Sequence, residues 1–406
     1  MTAFDPSTPV ILLGGRENAV AVARNLGRRG VEIIASGLPG CRSLNSKYCK
    51  RGFSVPKGRT AASYWEQLLL GNDHRDLDGA ILFAFCDESL EFVEAHHERL
   101  RDRYVVEDFV ADQRRAMLDK QETLAIAKKA DVPFPAYWPI NTDDDVHRLK
   151  DKIRFPVMVK PLNSYAFVHE FGAKLFIVPE SFEEVVEKVL LSRSRGHDVM
   201  VVEMVPGPDD LLCSYYTYRT PDGRRLYDYT KSVMRRWPVN RGGGCMHQSE
   251  WLPEVAVLGQ KLFEAMDWQG TACVEFKRDT RDGLLKIIEV NARFTAAHRL
   301  VTEAGAPIDL VIYCYLTKQP EPSCEGYSNT IRMWNPVRDI LAFRDLRRLG
   351  ELSFTGWVRS ITEQRVILGY LSLDDPGPSL AETGANIRRA FSKLTGVFRR
   401  RGQHAT

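Results

Sequence analysis

The sequence predicts an α/β protein of two or three domains, the first of them a Rossmann-like, doubly wound sheet. Three observations predict it. Residues 10–35 read strand, glycine turn, helix, strand, which is how a parallel sheet opens. Residues 270–294 read as a hairpin with charged groups on one face and apolar groups on the other. The chain has 406 residues, 44% apolar and 27% charged, enough for more than one ordinary soluble core.

The first strand, Val10–Leu13, is wholly apolar and ends in Gly14-Gly15. A helix over Asn18–Gly30 keeps Ala19, Val22, Ala23 and Leu26 on one side, and Val31–Ala35 is the next strand. The glycines read GGRENA instead of GxGxxG, and the second strand ends in Ser36-Gly37 with no acid to hold a ribose. Structural glycines at a strand-to-helix turn are therefore expected, and a dinucleotide site is not. Ala80–Phe85 is a further strand, followed by Asp87-Glu88 and a helix from Ser89 to about Arg103. Asp87 is expected to cap that helix; a place in the crevice beyond the strand ends is the alternative.

Asp112–Ala130 reads as one amphipathic helix carrying Lys120, stopped by Val132-Pro133-Phe134-Pro135. Residues 155–161 read FPVMVKP, a buried strand that places Lys160 rigidly at its end, as a phosphate contact requires. Asn163–Gly172, with Ser164, is expected as a polar loop folding over phosphates. Ser181 and Glu184 have capping-box spacing and start a helix running to Leu191. In the strand Asp198–Val205, Glu203 sits within an apolar run and needs a partner, either a basic side chain or a ligand at the strand end. Downstream, Lys231, Arg235 and Arg236 precede Gly242-Gly243-Gly244, which reads as a mobile lid or a plain charged loop.

In the hairpin, Asp282-Gly283 marks the turn, so Glu275 falls opposite Glu289. Alternation puts Glu289, Asn291 and Arg293 on one face, with Val274, Phe276, Ile288 and Val290 on the other. Facing carboxylates repel, and a divalent cation relieves them; a solvated face with incidental charges is the alternative. Oxygen-only ligands favour Mg²⁺, which prefers a few carboxylates together with nucleotide phosphates.

Taken in order, the glycine-turn opening, the DK of Asp119-Lys120, FPVMVKP, VVEMVPG and GTACVEFKRD…GLLKIIEVNAR resemble the ATP-grasp superfamily of carboxylate ligases over roughly residues 8–316. The resemblance implies a Rossmann-like domain over 1–111, an ATP-grasp domain of two α+β subdomains over 112–320, and a small closing domain over 321–406. It implies ATP and Mg²⁺ as cofactors. Lys120 and Lys160 would contact the phosphates, Glu203 with the backbone of Met204 and Val205 would hold adenine, and Asp209 or Asp210 would meet the ribose. Glu275, Glu289 and Asn291 would bind the metal; Arg293, Lys160 and Arg235 would be catalytic. Biotin carboxylases follow this motif with Gln-Val-Glu-His, where this chain has Phe294-Thr295-Ala296-Ala297-His298, so biotin is not the expected substrate. The pattern is most similar to the D-aspartate ligase-like, carboxylate–amine branch, which carries an R-x-x-P such as Arg235-Arg236-Trp237-Pro238. The implied activity is ADP-forming amide or peptide synthesis through an acyl phosphate, from a small carboxylate and an amine, amino acids among them. An ATP-binding regulatory or scaffold protein on the same fold is the competing reading. His298 is expected to be structural.

The net charge of +3 does not call for nucleic acid. Eight cysteines without CxxC spacing suit a reducing compartment. The start, MTAFDPSTP, has no basic leader, and no apolar run approaches the ~18 residues of a spanning helix, so a cytoplasmic location is expected. In the tail, Ile387, Phe391, Leu394 and Phe398 fall at helical spacing among arginines. Packing on the chain's own domain is expected there, with contact to an anionic membrane surface as the alternative. Whether the chain forms oligomers stays open.

Overall fold

The computed structural model describes residues 4–110, 113, 114, 117, 119–162, 164–386 and 388. The tail stripe lies outside the described residues. Three sheets carry the fold. The first is parallel, with β1 (Val10–Leu13), β2 (Ile33–Gly37), β3 (Cys49–Ser54), β4 (Ile81–Ala84) and β5 (Val105–Val106) in the order β3-β2-β1-β4-β5. Strands β1 and β2 are buried along their whole length, the state that continuous apolar runs specify. The order reverses between β1 and β4, and at such a switch point the connections diverge and leave a crevice beyond the strand ends. Gly15 sits there at φ +86; a Cβ on it would lie 2.5 Å from Phe85 Cβ, so both conformation and space demand glycine.

The second sheet holds β6 (Tyr137–Ile140), β7 (Val157–Pro161), β8 (Phe176–Val178) and β9 (Val199–Glu203) in the order β6-β9-β7-β8. The third contains β10 (Leu212–Arg219), β11 (Arg225–Trp237), β12 (Gly243–Ser249), β13 (Gly270–Arg278), β14 (Leu285–Asn291), β15 (Ile331–Trp334) and β16 (Arg365–Leu368), ordered β14-β13-β10-β11-β12-β15-β16. The C-terminal segment thus extends the sheet that bears the hairpin. Its later part returns to the first sheet, where Asp375 accepts from buried Arg24 at 2.9 Å and from Ser46 at 2.8 Å.

Several local expectations change. The helix beginning at Ser89 instead spans Asp87–Ala95, followed by a separate turn at His97–Arg101. The helix carrying Lys120 starts only at that residue, because Asp119 is its N-cap and accepts from the amides of Gln121 and Glu122. Ser164–Phe171 is helical rather than a loop. The Ser181 cap holds, its hydroxyl accepting from the Glu184 amide at the head of helix Phe182–Ser194. Among the described residues no helix is long and apolar enough to cross a membrane.

Candidate active site

A cavity of about 1580 Å³ is lined from all three sheets. Its floor is the hairpin. Glu275 pairs in register with Glu289, and Ser214 and Lys231 continue the same row across β10 and β11. The Lys231 ammonium donates to Ser214 Oγ at 3.0 Å. Burial pushes the Glu275 carboxyl above its ordinary value; Lys231 opposes that shift and Glu289 adds to it.

One feature of the hairpin departs from simple alternation. Phe276 pairs with Ile287 while Glu275 pairs with Glu289, so Ile288 is the extra residue of a bulge. Ile287 takes the core position expected of Ile288, at 1% exposure, and Ile288 faces the cavity. The displaced carbonyl of Ile288 accepts from Lys160 Nζ at 3.3 Å. Lys120 lies beside it and donates to the carbonyls of Pro161 and Leu162 at 3.0 and 3.2 Å. Burial, with Lys160 nearby, brings the Lys120 ammonium down to about 8, and burial lowers Lys160 as well.

Glu275, Glu289 and Asn291 all line this cavity and offer oxygen only. Among the described residues no group of three or more His, Cys, Asp or Glu forms an all-protein metal cage. Two facing carboxylates and an amide fit Mg²⁺, which completes its shell with phosphate oxygens and water.

The residues expected to hold adenine and ribose are only partly brought together. Glu203 lines the cavity, 7% exposed, and pairs with Arg281 at 3.1 Å. Val205 also lines it, but the Met204 amide is committed to the Pro156 carbonyl at 3.0 Å and the residue does not reach the cavity. Neither Asp209 nor Asp210 is brought to it. Asp209 is 6% exposed and accepts from Arg236 Nε and the Asn240 amide, pinning the β11–β12 turn, and Asp210 faces solvent.

Arg235 is also placed elsewhere. It is 4% exposed, outside the cavity, and forks onto Asp339 at 2.6 and 3.2 Å. Neighbouring Arg236 faces the cavity: the cavity face set by Lys231 and Val233 passes to Arg236 because the β11–β12 pairing slips between Val233 and Arg235 and again between Arg235 and Arg236. The triple glycine is not a loose loop. Gly242 closes a turn onto the Pro238 carbonyl at 2.7 Å, and Gly243 and Gly244 begin β12. A Cβ on Gly244 would lie 2.1 Å from the His247 ring, so packing explains that glycine.

Arg293 reaches the far wall, where its Nε donates to Asp87 Oδ1 at 3.0 Å. Asp87 therefore belongs to the crevice and is not the helix cap; Cys86 holds the cap position. The next residue, Phe294, turns the opposite way and packs on Phe83 and Phe85, each with ring centroids at 5.5 Å. Asn18 locks the junction by donating to the carbonyls of Phe85 and Phe294 at 3.0 and 2.9 Å. Sequence reading passed over Asn18, because both acceptors are distant in the chain. It also passed over His247, a cavity-lining residue that burial keeps well below its ordinary pKa and so neutral. His298 is structural, 1% exposed and 3.3 Å from buried Asp309.

No family model matches the chain. A D-aspartate ligase of Enterococcus faecium (strain Aus0004) is 21% identical over 235 residues, covering 55% of this chain and 56% of that protein. The matched stretch thus spans little more than half of the relative. A biotin carboxylase–βγ-ATP complex from Campylobacter jejuni superposes with a TM-score of 0.62 at 16% identity, over 80% of this chain and 74% of that one. An L-amino acid ligase from Bacillus licheniformis gives a TM-score of 0.56 at 16% identity, covering 77% and 75%. All three are ATP-grasp ligases. The chain has the ATP-grasp fold. At such identities the likeness establishes architecture, and within an ATP-grasp framework the cavity lies where the two later sheets meet the parallel one.

Proposed function

We propose that the protein is an ATP- and Mg²⁺-dependent carboxylate–amine ligase that forms an amide or peptide bond and releases ADP and phosphate. The observation that carries this reading is the convergence of Lys120 and Lys160 on the facing pair Glu275/Glu289 in one cavity. Attack of a carboxylate on the γ-phosphate of ATP brings anions together, and the barrier falls only where fixed cations neutralise them. Lys120 and Lys160 would hold the phosphates. Glu275, Glu289 and Asn291 would hold Mg²⁺, which supplies charge neutralisation when bound. Arg293 would hold the acyl oxygen, and the walls around it would exclude water from the acyl phosphate until the amine attacks. The names of the relatives, a D-aspartate ligase and an L-amino acid ligase among them, support amino acids as substrates.

Incubation with ATP, Mg²⁺ and an amino-acid panel, with products read by mass spectrometry, tests the proposal. Substrate-dependent ADP and an amide are expected. AMP with pyrophosphate would refute the acyl-phosphate route, and ATP binding with no turnover for any pair would favour a regulatory protein.

A further inference from the structure

Asp87 and Arg293 meet across the junction of two sheets. Asp87 begins the helix after β4, and Arg293 lies two residues beyond the end of β14. Both line the cavity. Their contact is single-point: among the described residues, Nε to Oδ1 is the one hydrogen bond either side chain makes. Neither is sealed away, the side chains being 20% and 47% exposed for Arg293 and Asp87. The outer edge of the guanidinium, a planar fork suited to a carboxylate, remains open, and so does the second carboxylate oxygen of Asp87. Side by side, these present a carboxylate receptor and an ammonium receptor.

We propose that the Asp87–Arg293 pair is a clamp for the zwitterionic head of an α-amino acid, the α-carboxylate on Arg293 and the ammonium on Asp87. Arg293 follows Asn291 by two residues and lines the same cavity as Glu275 and Glu289, so the clamped carboxylate lies beside the metal-binding pair. The clamped amino acid is then the one whose carboxylate is activated, a step that rests on the ligase reading. Its ammonium is turned toward the parallel sheet, held by a group of that sheet's own domain. A simple carboxylic acid brings a second anion to Arg293 and no cation for the open oxygen of Asp87, whereas a zwitterion supplies both charges, so amino acids are favoured over their desamino analogues.

The test pairs amino acids with their desamino partners: alanine with propanoate, aspartate with succinate, phenylalanine with 3-phenylpropanoate. Binding is measured by calorimetry on the whole protein with ADP and Mg²⁺, and turnover by ADP release with ATP, Mg²⁺ and a panel of amines. At least one amino acid is expected to bind about tenfold or more tightly than its partner. Asp87→Asn is expected to abolish that preference by weakening the amino acid and not its desamino partner, with affinity for ADP unchanged. Equal binding within every pair, absence of binding throughout, or equal loss for both members in Asp87→Asn would overturn the clamp. The binding arm stands without turnover, so amino-acid preference with no ADP release would refute the ligase reading and spare the clamp.

Discussion

Arg235 lies on a strand of the seven-stranded sheet and Arg293 just beyond the end of another, and both pair with an aspartate from another part of the chain. Their settings differ in every quantity that matters. Arg235 forks onto Asp339 with two contacts, and the same carboxylate accepts from the indoles of Trp334 and Trp357 at 2.9 and 2.8 Å. Its side chain is 5% exposed and that of Asp339 is 0% exposed, so the pair has no capacity left for a ligand. Arg293 spends one nitrogen on Asp87 and keeps the rest toward the cavity. A saturated, buried pair fastens one part of the chain to another; an unsaturated, half-open pair is available for chemistry.

Breaking the saturated pair should have the largest effect. Arg235→Ala leaves a buried carboxylate without its counter-charge, and about 3–5 kcal/mol of stability should be lost, read from the denaturant midpoint. Retained stability would remove the fastening role. Glu289→Gln tests the other side of the contrast: stability should hold while turnover falls about 10²–10³-fold, the usual loss of one transition-state charge contact. Unfolding of Glu289→Gln in place of lost turnover would reverse the assignment of the two regions.

Asn18→Ala should cost about 1–3 kcal/mol, since it orphans the buried carbonyls of Phe85 and Phe294. It should also weaken whatever Arg293 binds, by loosening the junction that aims it; a thermal melt with amino-acid titration separates the two.

The smallest effect is a proton. Lys120 titrates near 8, below its ordinary 10.5, so above about pH 8 it is increasingly neutral in the free protein. The folded state holds fewer protons than the unfolded one between those values, and Lys120 makes stability rise with pH across that window. Phosphate binding restores the charge, so nucleotide binding near pH 9 should take up a fraction of a proton. Calorimetry in buffers of different ionisation enthalpy reads this, and Lys120→Met should reduce it.

The two acids of the hairpin were legible as one charged row because a hairpin is local, but their direct facing rests on the bulge: the register nearest the turn, Arg278 with Leu285 through Phe276 with Ile287, would set Glu275 against Ile288. Lys160 at a strand end was legible for the same reason. The bulge at Ile288 was not, because a one-residue insertion in a strand leaves no mark on an already apolar run. Nor were the partners of Asp209, Arg235 and Asp87, which lie 27, 104 and 206 residues away in the chain.

By itself, then, the sequence determined most of the strands, the charged face of the hairpin and the class of chemistry it suits. All of these follow from periodicity and turn residues acting over a few positions. The tertiary structure alone decided which of several similar charges face the cavity. It withdrew Met204, Asp209, Asp210 and Arg235, and it brought in Asp87 and Asn18. The physical reason is that a side chain's role depends on how much of its bonding capacity its neighbours consume, and those neighbours are set by packing across sheets.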